Sequence, residues 1–221
     1  MPRPPIEIET GDQPESAIII LHGLGADGTD FVPVAQELDL AVVGPVRFVF
    51  PYAPVIPVTI NGGYRMPAWY DILGADLVRR EDEGGLRASL RLVGELIDTQ
   101  IERGIAPERI VIAGFSQGCA MALLAGVRHP ARLAGIAGLS GYLPLADTTA
   151  RERHPASAAT PIFLAAGEHD GIVAPARSQA ARQTLEQLGY VVDWHTYPMA
   201  HSVCAEELRD LNDWLLRVLA R

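Results

Sequence analysis

Continuous apolar runs recur along the chain at spacings that leave room for a helix between them. Such runs are typical of strands buried on both faces of a sheet, which lack the polar alternation of half-exposed strands. We predict six of them, at 16–22, 46–50, 109–114, 133–141, 160–167 and 190–197. The stretch IEIE at 6–9 alternates apolar and acidic residues instead, and this pattern predicts an antiparallel strand at a sheet edge.

Apolar residues at helical spacing occupy the intervals between these runs. One such stripe, which Gly104 and Pro107 end, consists of Leu86, Leu90, Val93, Ile97 and Ile101. Helices are also predicted over 175–188, where Gly189 follows, and over 208–218. Strands that alternate with helices favour right-handed crossovers and a mostly parallel sheet. We therefore expect one α/β domain over residues 1–221.

The segment 52–74 fits neither pattern, since it is rich in proline, glycine and aromatic residues. A long irregular stretch inside a compact domain is usually a functional loop or an element that the pattern hides. Because the segment is too apolar for a solvated linker, we interpret it as the wall or lid of a pocket.

Charge and composition restrict the class of protein further. The formal net charge of −9 repels phosphate backbones, so nucleic acid is not an expected partner. No secretory signal pattern precedes the first strand, and no apolar run approaches the ~20 residues of a membrane helix. With only Cys119 and Cys204, both expected to be reduced, these features predict a cytoplasmic protein.

A serine lies between two glycines where the third strand meets a helical stretch. The sequence is GFSQG, with Ser116 at its centre and Gly114 and Gly118 on either side. In a nucleophile elbow of this form, the serine occupies a sharp strand-to-helix turn that exposes its hydroxyl above the sheet. The alternative is that Ser116 only caps the helix. The order of strand, turn and helix favours the elbow.

A nucleophilic serine needs a base, and in this arrangement the acid and then the histidine follow the serine along the chain. His201 lies in a loop between the last predicted strand and the last helix, at the sheet edge where the elbow is expected. His195 lies inside the alternating stretch VVDWHTY, which favours a structural role. We therefore predict His201 as the base.

Asp170 is the predicted acid, because it follows the strand at 160–167 in a loop at the same sheet edge. Its role would be to orient the imidazole and stabilise the imidazolium ion. Asp147 is the alternative, since it follows the preceding strand region. Glu168 stands directly at the strand end and Asp193 in mid-strand, so both are less well placed.

Acyl transfer also needs donors for an oxyanion. The expected donors are the backbone N–H of Gln117, directly after the serine, and that of Leu24 in the loop LHGLGADG. This loop also has the form G-x-G-x-x-G of a phosphate-binding loop. That interpretation ranks lower, because no acidic residue is clearly placed at the end of the next strand.

Several segments resemble the phospholipase/carboxylesterase family, which includes serine carboxylesterases and acyl-protein thioesterases. They are LHGLGADG, APVIPVTINGGYRMPAWYDI, EDEGG, RIVIAGFSQGCAMAL, LSGYLP and MAHSVC. The resemblance implies an α/β-hydrolase fold, with helices on both faces of a mostly parallel sheet and no large cap domain. It assigns the catalytic triad to Ser116, Asp170 and His201 and the oxyanion hole to Leu24 and Gln117. It also implies an acyl-binding groove along Trp69, Ile72 and Leu73.

The expected activity is hydrolysis of carboxylic esters with short to medium acyl chains, extending to thioesters or lysophospholipids. Acyl-protein thioesterase activity is the alternative. A peptidase and a non-catalytic binding module on a hydrolase fold are less favoured. The mechanism requires no metal and no cofactor, and the partner is a small-molecule ester. Homodimer formation through the exposed apolar loop is a further expectation.

Overall fold

A seven-stranded sheet forms the centre of the molecule, and its strands follow the apolar runs of the sequence. The structure is a computed structural model that describes residues 3–74 and 81–220, so the predicted domain 1–221 extends beyond them at 1–2, 75–80 and 221. The strands of this sheet are β1 (Ile6–Glu9), β2 (Ser16–Leu21), β3 (Val46–Phe50), β6 (Ile110–Phe115), β7 (Gly135–Leu139), β8 (Ile162–Gly167) and β9 (Val192–Tyr197).

The strands lie in the order β1-β3-β2-β6-β7-β8-β9, and every neighbouring pair except β1 with β3 is parallel. In this register Ile18 of β2 lies between Phe48 and Val111. The antiparallel edge strand predicted from IEIE is therefore confirmed. Because the six other strands run the same way, their carboxyl ends meet at one edge of the sheet, where loops from distant parts of the chain converge.

Helices cover both faces of the sheet, as expected for parallel strands joined by crossovers. They are α1 (Val32–Glu37), α2 (Glu83–Glu102), α3 (Gln117–Gly126), α4 (Ala146–Glu152), α5 (Pro175–Gln187) and α6 (Ala205–Val218). Buried residues of α2, α3 and α5 pack in one core cluster, and those of α1 and α6 pack in the other. Within the described ranges, no large cap domain lies over the carboxyl edge of the sheet. The α/β-hydrolase prediction is confirmed.

The segment 52–74 is more regular than the sequence pattern indicates. It contains β4 (Val55–Val58) and β5 (Tyr64–Pro67), which pair as an antiparallel hairpin outside the main sheet. The segment thus includes an element that the apolar pattern hides, which is one of the two alternatives stated above. Proline interrupts the usual strand signal here, but a two-stranded ribbon has free edges that tolerate it.

Two further observations concern the described residues alone. Every helix within 3–74 and 81–220 is too short or too polar to cross a bilayer. Cys119 is buried in α3, Cys204 caps α6, and both thiols are free.

Candidate active site

Ser116 occupies a sharp turn between β6 and α3, as the GFSQG pattern predicts. Its backbone angles are φ 56° and ψ −116°, a conformation that side-chain-bearing residues rarely adopt. The Ser116 N–H donates to the carbonyl of Leu139 at the end of β7, 2.9 Å away, which ties the turn to the neighbouring strand. The turn thus presents the serine side chain at the carboxyl edge of the sheet.

The two glycines of the motif are needed because backbone segments approach each other closely at this turn. A Cβ atom on Gly118 would overlap the carbonyl group of Leu21 at the end of β2. A Cβ atom on Gly114 would overlap the backbone of Gly118 itself. The helix can follow the strand this tightly only without side chains at both positions.

The structure brings Ser116, His201 and Asp170 into one hydrogen-bonded series. His201 Nε2 lies 2.8 Å from Ser116 Oγ, and His201 Nδ1 lies 2.7 Å from Asp170 Oδ2. The Asp170 side chain is only 1% exposed, whereas that of His201 is 17% exposed. With the proton on Nδ1, the imidazole donates to the buried carboxylate and accepts from the serine hydroxyl, which is the geometry of general-base activation.

Backbone amides hold the carboxylate of Asp170 in its orientation. Its Oδ1 atom accepts from the N–H groups of Ile172 and Val173 at 2.8 and 2.9 Å. The Oδ2 atom is thereby left for His201. The ring of Phe115 packs beside the imidazole, with the ring centroids 4.7 Å apart. These contacts restrict rotation of the aspartate and of the histidine.

The alternative residues lie elsewhere. His195 bonds to Asp193 at 2.9 Å on the edge strand β9, so neither contacts the serine. Asp147 lies in α4 and lines a separate cavity. The Glu168 carboxylate accepts from the hydroxyl of Thr196. Of the candidate acids, Asp170 is the one that hydrogen-bonds to His201 within the described part of the chain.

Leu24 and Gln117 present backbone N–H groups near the serine. Both residues line the same cavity as Ser116. Among residues 3–74 and 81–220, no protein acceptor is found for either N–H group. For Gln117 this follows from its place in the first turn of α3, where N–H groups have no intrahelical acceptor. Two free amide donors beside a nucleophile are suited to stabilising an oxyanion.

The cavity that contains these groups measures about 930 Å³ and is mostly apolar. Loops that follow β2, β6 and β8 form its walls, together with the segment after the hairpin. Its apolar lining residues include Leu24, Ala26, Phe31, Val34, Ile60, Ile72, Phe115, Ile172, Val173 and Val203. Such a lining suits an acyl chain or another apolar group.

Of the three residues predicted for the acyl groove, Ile72 lines this cavity. Neither Trp69 nor Leu73 is among the described residues that line this cavity. Trp69 is 2% exposed and packs in the core with α2 and α3. Its indole points towards the backbone of His22 rather than into the cavity.

Two tyrosines at the cavity wall are hydrogen-bonded to each other. The hydroxyl groups of Tyr70 and Tyr142 lie 2.7 Å apart. Burial raises the pKa of Tyr142 to about 12 and raises that of Tyr70 as well, so both phenols stay protonated at neutral pH. They offer neutral hydroxyl groups to the cavity, not charges.

The sequence gives no sign of a second role for Gln117. Its buried carboxamide bonds to the backbone of Trp69 and Tyr70, at 2.8 Å in both cases. The partners are 47 or 48 positions apart along the chain, so no local spacing reveals the contact.

Across the described part of the chain, His, Cys, Asp and Glu form no group of three or more placed to hold a metal ion.

Known proteins are similar to this chain over almost its whole length. A family model described as phospholipase/carboxylesterase matches residues 4–219. A protein named acyl-protein thioesterase 1 from Gibberella zeae is 40% identical, over 97% of this chain and 95% of its own. The protein of the same name from Yarrowia lipolytica is 37% identical, over 97% and 96%.

Solved structures agree with the sequence comparisons. Arabidopsis thaliana SOBER1 superimposes with a TM-score of 0.88 at 30% identity, covering 92% of this chain and 99% of its own. Zea mays acyl-protein thioesterase 2 superimposes with a TM-score of 0.84 at 27% identity, covering 97% and 99%. The fold, the near-complete family match and these relatives together show that the chain belongs to the phospholipase/carboxylesterase family of serine hydrolases.

Proposed function

We propose that the chain hydrolyses esters and thioesters of short to medium acyl chains through an acyl-enzyme formed on Ser116. The observation that carries the proposal is the hydrogen-bonded series of Ser116, His201 and Asp170 at the wall of an apolar cavity. Each group has the neighbour that its role requires, since the serine meets a base and the base meets a buried carboxylate.

In the first half-reaction, Ser116 Oγ attacks the carbonyl carbon while His201 Nε2 accepts the hydroxyl proton. The carbonyl oxygen becomes an oxyanion that the N–H groups of Leu24 and Gln117 bind. The loss of one such donor typically costs about 3 kcal/mol of transition-state stabilisation. Asp170 stabilises the imidazolium ion through Nδ1 and does not take up its proton.

The imidazolium then protonates the leaving alcohol or thiol, and the acyl group stays on the serine. Water enters, His201 removes its proton, and the same two amides bind the second oxyanion. Collapse of this intermediate releases the carboxylic acid and returns the proton to Ser116. Every proton transfer in the cycle passes through one nitrogen, His201 Nε2, which faces the serine oxygen.

The lining of the cavity supports an acyl chain as the bound group. Apolar side chains predominate around Ser116, and burial of each methylene contributes about 0.8 kcal/mol. The value of kcat/KM should therefore rise with chain length until the cavity is filled. Lysophospholipids fall within the same chemical class, because they carry one acyl ester on a polar group.

Acyl-protein thioesterase activity is the second candidate, and the relatives favour it through their names and their identity to this chain. The form of the cavity adds support. Ile60 and Ile172 line it and are 46% and 71% exposed, so its mouth opens to the surface. An acyl chain can enter there while the protein that carries it stays outside.

The proposal is tested with p-nitrophenyl esters of increasing acyl length and with the Ser116→Ala variant. We expect this variant to fold, to lose ester turnover and to lose labelling by a fluorophosphonate probe. Ser157→Ala is the matched control, because Ser157 is buried and bonds to Tyr190 away from the site. Ester turnover retained by Ser116→Ala, with the control also active, would refute the assignment of the nucleophile.

The substrate class is tested on peptides that carry the same acyl chain as a cysteine thioester, a serine ester or a lysine amide. Preferential release from the thioester supports the acyl-protein thioesterase candidate. Comparable release from thioester and ester supports a general carboxylesterase, and release from the amide would identify a peptidase-like activity. A protein that neither turns over any of them nor reacts with the probe would be a binding module.

Three expectations from the sequence stay predictions beside this proposal. They are the single domain over the whole chain, the cytoplasmic location and the homodimer. Size-exclusion chromatography with light scattering on the purified protein measures the oligomeric state directly.

A further inference from the structure

The two N–H groups proposed to bind the oxyanion come from separate parts of the chain. Leu24 belongs to the loop after β2, and Gln117 begins α3 after β6. An oxyanion hole requires both donors to be 2.7–3.1 Å from one oxygen position, so their relative placement must be held to a fraction of an ångström. The hydrogen bonds between the two segments determine how rigidly the two donors are held relative to each other.

Trp69 bonds to the loop that carries Leu24. Its indole Nε1–H donates to the carbonyl oxygen of His22 at 2.9 Å, one peptide unit before the N–H of Leu24. On the other side of Leu24, the N–H of Gly25 donates to the carbonyl of Pro67, also at 2.9 Å. The short segment 67–69 therefore holds this loop on both sides of the proposed donor.

Gln117 holds the same tryptophan from the other side. Its side-chain Oε1 accepts from the Trp69 N–H, and its Nε2 donates to the carbonyl of Tyr70, both at 2.8 Å. Ser89 Oγ donates to the remaining backbone group, the Trp69 carbonyl. Gln117 is buried at the start of α3 and also provides the second proposed N–H donor. Its side-chain hydrogen bonds therefore connect Trp69 directly to that donor residue.

His22 completes the connection within the loop. Its Nε2 accepts from the N–H of Ala53 at 3.0 Å, so the proton lies on Nδ1 and is donated to the carbonyl of Gly23 at 2.8 Å. Burial lowers the pKa of His22 and keeps the imidazole neutral. The hydrogen bond to the Gly23 carbonyl and the negative charges of Asp27 and Asp30 raise this pKa, but by less. The indole of Trp69 packs on this imidazole, with ring centroids 5.4 Å apart.

We propose that Trp69 is a positioning residue that sets the separation of the two oxyanion donors, through its indole bond to His22 and its backbone bond to Gln117. The inference rests on the proposed function, since it assumes that Leu24 and Gln117 bind the oxyanion. Trp69 itself does not contact the substrate, because it is buried and is not among the described residues that line the cavity.

The test is Trp69→Phe, which removes the indole N–H but keeps an aromatic ring and all backbone bonds. We expect kcat for p-nitrophenyl butyrate to fall about tenfold or more with KM changed less than about twofold, because misplaced donors weaken binding of the transition state alone. A trifluoromethyl ketone forms a tetrahedral oxyanion when Ser116 Oγ adds to its carbonyl and His201 takes the proton. Its inhibition constant should rise by a similar factor.

Two controls separate positioning from other effects. Trp214→Phe is the same change at a buried site in the other core, where the ring packs on Phe163, and it should leave kcat unchanged. Ile72→Ala alters the cavity lining and should change the ratio of kcat/KM for octanoate over butyrate. Trp69→Phe should leave that ratio as it is in the wild type.

Unchanged kcat and unchanged ketone affinity in folded Trp69→Phe would overturn the proposal, and so would a shift in the octanoate/butyrate ratio like that of Ile72→Ala. If Trp69→Phe does not fold, Gln117→Met decides, because it removes the side-chain hydrogen bonds to Trp69 and Tyr70 and leaves the backbone N–H of Gln117 in place. A fall in kcat and ketone affinity at constant chain-length ratio then supports positioning, and no fall overturns it. Activity retained by Ser116→Ala is a different result, since it refutes the proposed function itself.

Discussion

At the scale of single residues, the site depends on a serine held in an unfavourable backbone conformation. The positive φ of Ser116 belongs to a region that glycine tolerates and other residues adopt at a cost of about 1–3 kcal/mol. The surrounding turn supplies the compensating bonds, among them that from Ser116 N–H to Leu139. Interactions elsewhere in the fold offset this cost, and the hydroxyl group is held in a single orientation.

This strain predicts an unusual order of stability for two inactive variants. Ser116→Gly should be more stable than Ser116→Ala by about 1 kcal/mol, because glycine relieves the backbone conformation. Urea denaturation of both variants measures the difference. The control is the same pair at Ser178 in the interior of α5, where alanine should be the more stable by about 1 kcal/mol. The same order at both positions would contradict the argument.

At the scale of elements, backbone hydrogen bonds hold the loop of Asp170, which follows β8, beside the loop of His201, which follows β9. The N–H of Glu168 donates to the carbonyl of Tyr197, and that of His169 donates to the carbonyl of Met199. The loop passes directly over Gly167, the last residue of β8. This packing holds the loop of His201 against the loop of Asp170.

Gly167→Ala is expected to displace the loop that carries His201 without changing Ser116, Asp170 or His201 itself. A Cβ atom at Gly167 would lie 2.5 Å from the carbonyl oxygens of Met199 and Ala200, so the His201 loop must shift. A displacement of about 1 Å in a catalytic group can reduce rates about a hundredfold, and we expect kcat to fall at least about tenfold.

Steady-state kinetics and thermal melting of Gly167→Ala and Gly94→Ala provide the measurement and its control. Gly94 lies inside α2, where an added Cβ atom meets nothing within 4 Å. Alanine there should keep full activity and add about 0.5–1 kcal/mol of stability. Full activity in Gly167→Ala would mean that the loop position is not critical.

At the scale of the whole molecule, a buried carboxyl group affects the pH dependence of stability. Glu207 in the first turn of α6 is fully buried, and neither of its oxygens makes a well-formed hydrogen bond with the described residues. Burial raises the pKa of Glu207 to about 8, and the nearby N–H of Cys204 offsets this only in part. The folded chain therefore carries a proton here at neutral pH that the unfolded chain has released.

The sign follows from linkage. Between the ordinary carboxyl pKa of 4.5 and about 8, the folded state binds the extra proton, so the free energy of unfolding falls as pH rises. The slope is at most about 1.4 kcal/mol per pH unit. The Glu207→Gln variant lacks this titrating group. Its free energy of unfolding, relative to that of the wild type, should therefore increase from pH 5 to pH 8.

Urea denaturation at pH 5, 6.5 and 8 measures the effect in Glu207→Gln and the wild type. Glu206→Gln is the control, because Glu206 is exposed and hydrogen bonds lower its pKa, so this carboxylate is ionised in both states over the same range. Only the Glu207 variant should diverge from the wild type. Parallel pH curves for Glu207→Gln and the wild type would show that the carboxyl group is ionised in the folded protein.

Local sequence was sufficient for the strands of the main sheet, most helices and the elbow. Strands β2, β6 and β8 are recognisable because residues buried on both faces of a sheet are mostly apolar. Gly114, Ser116 and Gly118 predict the turn because all three residues of the motif lie within five positions. Chain order and loop position also indicated His201 and Asp170, although Asp147 stayed open as the acid.

Only the tertiary structure decided which distant groups meet. It brought Asp170 into contact with His201, revealed the hairpin of β4 and β5, and placed the Trp69 indole against the backbone of His22. It also showed that Glu207 is buried in α6 and that its carboxyl oxygens make no well-formed hydrogen bond with the described residues. The physical reason is the same in each case: direction and burial of a side chain depend on packing between segments far apart in the chain, which local periodicity does not encode.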